Sequence, residues 1–162
     1  MKDENKKILK NEFTWLPKDK RVSRFGGTFP PRQPELRKPL LWVDSKGIDF
    51  GHELYLINNT GEVIDSIATS SGGFATIGDD VITVASDECE YNNVQPNEAV
   101  KIDEFDVFSD GDYVIEVYVR LRSEKLGFIE IKTPSEKGGL KKETVLLWDT
   151  GEAGKFVSIK KA

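Results

Sequence analysis

Residues 113–121 read YVIEVYVRL, and the alternation along them decides the fold class. Tyr113, Ile115, Val117, Val119 and Leu121 fall on one face at period two, while Val114, Glu116, Tyr118 and Arg120 fall on the other. That is a strand with one packed face and one partly wet face, as antiparallel sheets allow.

Working outward, short apolar or alternating runs recur between Gly, Asn, Asp and Pro. They predict further strands near 40–44, 53–58, 62–68, 80–85, 98–103, 127–132, 143–148 and 155–160. RSEKLG, 122–127, reads as the turn from the strong strand into FIEIK, and KGGLKKE, 137–143, as a looser link before TVLLW. ELYLINNTGEVIDSI, 53–67, reads as a hairpin closed by Asn58-Asn59-Thr60-Gly61, whose Asn and Gly residues accept positive φ. LLW at 40–42 and again at 146–148 reads as two core strands, each ending in an aromatic residue before a turn. Nine short strands without a long amphipathic helix point to an all-β, antiparallel two-sheet sandwich, immunoglobulin-like or jelly-roll-like. A chain of 162 residues is long enough to bury such a core without a staple. No motif in it is specific enough to name a family.

The first 39 residues are of another kind and are read as an extended N-terminal arm on a 40–162 sandwich domain. They hold five of the seven prolines and the basic run KDKRVSR at 18–24, so a regular sheet interior is not expected there. One or two helical turns are expected around Lys6–Phe13. Phe13, Trp15, Leu16, Phe25 and Phe29 are anchors that a freely solvated tail does not collect. Residues 1–39 carry eleven Lys/Arg and five Asp/Glu, a net +6; the rest of the chain carries twelve and twenty-three, a net −11. A basic arm on an acidic body either reaches an external anion or lies on the body that attracts it.

Several chemistries lose support. The N-terminal MKDENKKILKNEF has charges where a secretory signal would need an apolar core, and no run approaches the ~20 apolar residues of a membrane span. Cys89 is the only cysteine, which excludes an intrachain disulfide and fits a cytoplasmic, reducing setting. His52, the sole histidine, reads as a turn residue before a strand, and one histidine is poor material for a catalytic triad or a zinc site. Neither a nucleophile elbow nor a phosphate-binding loop occurs. No cofactor is implied, and the chain is read as a non-enzyme.

DEFDVFSDGD, 103–112, packs five acids into ten positions. Its spacing does not follow the helix-flanked calcium loop, so it reads as an acidic loop or hairpin leading into 113–121; were a metal held there, Asp106, Asp110 and Asp112 would be its ligands. The wider window 87–112 has nine acids against Lys101 alone, a surface that repels nucleic acid and attracts basic segments. These features together predict a protein-interaction module, contacting another protein or another copy of itself. Trp15, Arg21, Arg24 and Phe25 are the candidate binding residues in the arm. The alternative is a ligand-binding sandwich for carbohydrate or calcium, with an exposed Trp or Tyr as sugar platform. A third reading is nucleic-acid contact through the basic arm, where Arg21, Arg24 and Arg32 would meet phosphate while Trp15 or Phe25 stacks a base.

Overall fold

The computed structural model describes residues 6–17, 35–77, 79–85, 88–108 and 110–161. Its strands are β1 (Ile8–Lys10), β2 (Pro39–Ile48), β3 (Gly51–Asn58), β4 (Ile64–Ile77), β5 (Asp80–Ala85), β6 (Cys89–Val94), β7 (Glu98–Asp106), β8 (Val114–Ser123), β9 (Gly127–Lys132), β10 (Glu136–Lys137), β11 (Thr144–Trp148) and β12 (Ser158–Lys161). They form two antiparallel sheets packed face to face, as the alternation in 113–121 requires. The first runs β1-β7-β3-β2-β11; the second runs β12-β9-β8-β4-β5, with β6 also pairing β4 and β10 pairing β8.

The main core lies between the sheets. Leu41, Val43, Leu54, Leu56, Val100, Ile102 and Leu146 of the first sheet meet Ile67, Val117, Val119, Leu121, Ile129 and Ile131 of the second. The inward residues of β8 are those that share a face in the sequence, and β8 joins β9 through the expected hairpin, ending at Ser123 opposite Gly127. The two LLW segments are neighbours: β11 pairs β2 with Val145 opposite Trp42 and Leu147 opposite Leu41.

Three expectations are corrected and one is narrowed. β3 is flanked by β2 and β7, so neither of its edges is open to β4, and Asn58-Asn59-Thr60-Gly61 crosses between sheets instead of closing a hairpin. Buried Asn58 pins this crossing: its Nδ2 donates to the carbonyls of Glu62 (2.8 Å), Val94 (3.1 Å) and Gln95 (3.2 Å), and its Oδ1 accepts from Thr60 Oγ1 at 2.7 Å. Of the two alternatives for DEFDVFSDGD the loop holds: the segment is the end of β7 and an acidic crossing to β8 in the other sheet. Residues 8–10 form a strand where helical turns were expected, because the open edge of β7 offers Lys10, Leu9 and Ile8 partners in Glu98, Ala99 and Val100. His52 is not a turn residue; it sits buried in β3 with Nε2 2.9 Å from the Leu140 carbonyl oxygen and its ring against Phe105. Burial lowers its pKa, against the pull of that carbonyl, so the ring stays neutral in the core.

A register shift in β7 opposite Leu54 and Tyr55 changes which residues face inward. Ile102 faces the core, and so do Asp103 and Phe105 beyond it. Gly51 opposes this region, and a Cβ there would lie 1.8 Å from the Phe105 carbonyl oxygen, so the close approach of β3 and β7 needs glycine. Asp103 reaches Ser71 of the second sheet, and one of its oxygens accepts from the Glu104 amide at 2.8 Å, while Oδ2 is buried with no hydrogen-bond partner among the described residues. Burial raises its pKa above the ordinary carboxylate range, and the Ser71 and Glu104 hydrogen bonds offset only part of that. A raised folded pKa gives stability that is complete below the unfolded value of ~3.9 and declines as pH rises through the folded value. Asp103→Asn is therefore expected to raise stability at pH 7 and to leave it unchanged near pH 3. Chemical denaturation at the two pH values checks this, and an equal effect at both would contradict it.

Candidate interaction surface

The first sheet is apolar on its outer face as well. Trp42 of β2, Tyr55 and Ile57 of β3, Ala99 of β7, and Val145 and Trp148 of β11 form a second cluster, with Leu9, Phe13 and Trp15 of the arm packed on it. An outer face of this kind needs a cover, and residues 6–17 supply one. β1 extends the sheet past β7, after which Asn11 adopts φ 57 and its amide bonds the Asn97 carbonyl at 3.1 Å. The arm then turns across the face. Phe13 meets Trp42 at 6.2 Å and Tyr55 at 5.6 Å between ring centroids. Trp15 stands edge-on between Trp42 (5.6 Å, 70°) and Trp148 (5.7 Å, 84°), so the tryptophans of arm, β2 and β11 form one clamp. The Arg37 guanidinium lies 4.1 Å over Trp148 and bonds Glu35 and Glu152, tying the start of β2 to the same clamp.

Charge fixes the other end of the arm. Lys7 Nζ donates to Glu53 Oε2 at 2.6 Å, and Lys101 Nζ, 3.2 Å from the same oxygen, also reaches Glu104 at 3.0 Å. Lys101 is only 2% exposed and Glu53 only 4%, so this is a buried ion pair on which an exposed lysine closes. Burial pushes the Glu53 carboxyl up, but the hydrogen bonds from Lys7, Lys101 and Tyr55 outweigh it and hold its pKa below the ordinary value. Tyr91 of the second sheet completes the seat, donating to the Lys101 carbonyl at 2.6 Å and accepting from the Lys7 amide at 3.3 Å. Burial and the neighbouring Glu53 raise the Tyr55 hydroxyl far above its usual range.

Of the candidate binding residues, Trp15 is in the clamp; Arg21, Arg24 and Phe25 lie outside the described residues, as does Phe29. The three tryptophans are packed together, and none lies bare on a concave surface as a sugar platform. Asp106 and Asp110 are occupied in the crossing itself. Asp106 accepts from the Phe108 amide at 2.7 Å, and Asp110 accepts from the Asp106 amide at 2.7 Å. They and Asp112 do not form a ligand set, and among the described residues no group of three or more His, Cys, Asp or Glu side chains is arranged to hold a metal.

The same crossing carries a feature that pattern reading missed. Phe105 turns into the core, but Phe108 is 81% exposed and rests against Phe50, itself 62% exposed, at 5.7 Å between ring centroids. The Val107 amide bonds the Phe50 carbonyl at 2.8 Å, joining this crossing to the β2–β3 turn. Ile48 and Val107, both exposed, flank the pair. The sequence shows an aromatic between acids at 108; only the meeting of two distant turns makes it a knuckle.

Comparison with protein-family models, curated proteins and solved structures gives no match. No helix among the described residues is long and apolar enough to cross a membrane.

Glu53's lowered folded pKa means that its contribution is present above the unfolded value of ~4.3 and is lost as pH falls through the folded one. Arm docking is expected to loosen in acid for this reason, and Glu53→Gln to remove that acid step. Trp15→Ala is expected to cost ~1.5–3 kcal/mol and to free the arm at any salt concentration. Hydrogen exchange at Ile8–Lys10 reads both outcomes; unchanged protection in Trp15→Ala would show that the clamp does not hold the arm.

Proposed function

We propose that this protein is a non-enzymatic interaction module that docks a protein partner on the knuckle of Ile48, Phe50, Val107 and Phe108. The observation that carries this reading is the exposure of two phenyl rings, in contact with each other, within an acidic setting. The Val107–Phe50 hydrogen bond and the Asp106 and Asp110 caps hold the backbone that carries them, so little ordering is paid on binding. Apolar groups held together outside the core, with no packing reason of their own, mark contact surfaces in soluble proteins. Asp49, Glu104, Asp106, Asp110 and Asp112 surround the rings in sequence, and neither 47–50 nor 102–112 contains a Lys or Arg. Lys141 approaches one flank, beside Gly138 and Gly111. The fitting partner is a segment with an apolar stripe and basic neighbours. Acidic surroundings speed its approach, while the rings supply most of the holding energy.

Residues 6–17 act differently in this reading: they are spent in cis on the first sheet, so the arm contributes to the body and not to the partner. The carbohydrate alternative keeps only Tyr118, a partly exposed ring whose hydroxyl is committed to Glu116. The nucleic-acid reading rests on Arg21, Arg24 and Phe25 without Trp15. A cytoplasmic setting belongs to the same proposal.

A synthetic peptide alternating Leu and Lys serves as the probe. It is expected to bind the full chain with salt-sensitive affinity, and Phe50→Ser with Phe108→Ser is expected to weaken it at least tenfold while the melting temperature stays near that of the parent. Equal affinity in the double variant, or preference for anionic phospholipid vesicles over the peptide, would overturn the reading.

A further inference from the structure

Sheet edges are where a β-protein either blocks or accepts another strand, because an edge presents a row of backbone donors and acceptors. Most edges among the described residues are blocked. β1 is three residues long and ends in Lys10. β11 is covered by the segment that follows it: Leu147 bridges Ala153, the Trp148 amide bonds the Glu152 carbonyl at 2.9 Å, and the Gly154 amide bonds the Leu146 carbonyl at 3.0 Å. Gly154 sits so close that a Cβ would lie 1.6 Å from the Val145 carbonyl oxygen. β12 ends in Lys160 and Lys161. β6 carries an exposed Glu90 and is bent at Asn93, where φ is 53.

β5 has none of these devices. Its sequence is DVITVA, with one acid at its first residue and no Lys, Pro or Gly. It pairs β4 without a register shift from Ile77 opposite Asp80 to Gly72 opposite Ala85, and among the described residues no strand pairs its other edge. Exposed apolar side chains lie on and beside this strand. Val81 is 65% exposed, Phe74 on β4 is 48% exposed, and Ile82 is also exposed. Val, Ile and Thr are the residues that strands select, so this is an edge with high pairing propensity, and none of the described residues blocks it.

We infer that β5 is a self-association edge, on which a second copy of this chain lays its own β5 antiparallel across a two-fold axis, continuing the second sheet into its neighbour. The occupant follows from the composition of the strand. A two-fold axis perpendicular to the sheet keeps outer face with outer face, so opposed residues must share a side. Centring the axis on Thr83 satisfies this: Thr83 opposes its own copy, Ile82 opposes Val84, and Val81 opposes Ala85. Every opposed pair is apolar or threonine, and Asp80 does not face Asp80 of the second copy, so no like charges meet. The contact is isologous and closes on itself. Because the remaining described edges are short, covered, bent or lysine-capped, association stops at the dimer and does not run on into a fibre. This surface shares no residue with the Phe50–Phe108 knuckle and stands whether or not that reading holds.

Thr83 is exposed, so substitutions there test pairing without disturbing the core. Sedimentation equilibrium of the full chain is expected to give a concentration-dependent monomer–dimer equilibrium. Thr83→Lys and Thr83→Asp, each setting like charges against each other at the axis, are each expected to raise the dissociation constant at least tenfold with unchanged circular dichroism. An equimolar mixture of the two is expected to recover dimer, since Lys then faces Asp. A parent that stays monomeric at millimolar concentration would overturn the inference. So would variants that dimerise like the parent, or a mixture no better than its components.

Discussion

Everything in the first sheet depends on its having two dry faces. β3 is buried along nearly its whole length, because Leu54 and Leu56 point to the second sheet while Tyr55 and Ile57 point outward beneath the arm. An antiparallel sheet commonly leaves one face to water. Here the outer face carries Trp42, Tyr55, Trp148 and a buried Lys101–Glu53 pair, a combination that is stable only while water is kept away from the rings and the charges stay matched. A buried pair stripped of one member costs ~3–5 kcal/mol, far more than an exposed one returns, so the seat of Lys7 is closely tied to the body beneath it.

Charge and apolar contact divide the work of docking. The net attraction between a +6 segment and a −11 body brings the arm near, but screened surface charge does not fix a geometry. Phe13 and Trp15 do so, because edge-to-face rings at 5.6–6.2 Å have a preferred orientation that a salt contact lacks. The arm is thereby an element of the sheet, and its removal would expose the backbone edge of β7 together with the aromatic face.

Polar groups are concentrated where the chain changes sheets. Asn58 satisfies one crossing through three backbone carbonyls, and Asp106 with Asp110 satisfies another through backbone amides. These side chains replace ladder hydrogen bonds that a crossing segment cannot make, which is why acids and amides gather there. Asp103 is the exception: drawn inward by the register shift in β7, it trades hydration for Ser71 and is left with an oxygen that no described residue hydrogen-bonds. The exposed rings at 50 and 108 sit where the capped β7–β8 crossing meets the β2–β3 turn, joined by the Val107 amide to the Phe50 carbonyl.

The alternation in 113–121 by itself determined the strand, its inward residues and the all-β class, because period two is a local property that no other regular structure reproduces. The turn from β8 into β9 was equally local. Which strand pairs with which was not legible: the Asn-Gly link after β3 looks like a hairpin, and only the presence of β2 and β7 on both edges of β3 denies that pairing. CEYNNV of β6 and ILK of β1 hid as loop and helix, since weak local preferences yield when a neighbouring edge offers hydrogen bonds. Trp15 was legible as an anchor but not its destination, for its two partners lie in strands far apart in sequence. The knuckle likewise exists only through long-range contact. Sequence determines what each residue prefers as a neighbour and which side of a strand it occupies; tertiary structure decides which neighbour it gets, because edges and faces are filled in competition across the whole chain.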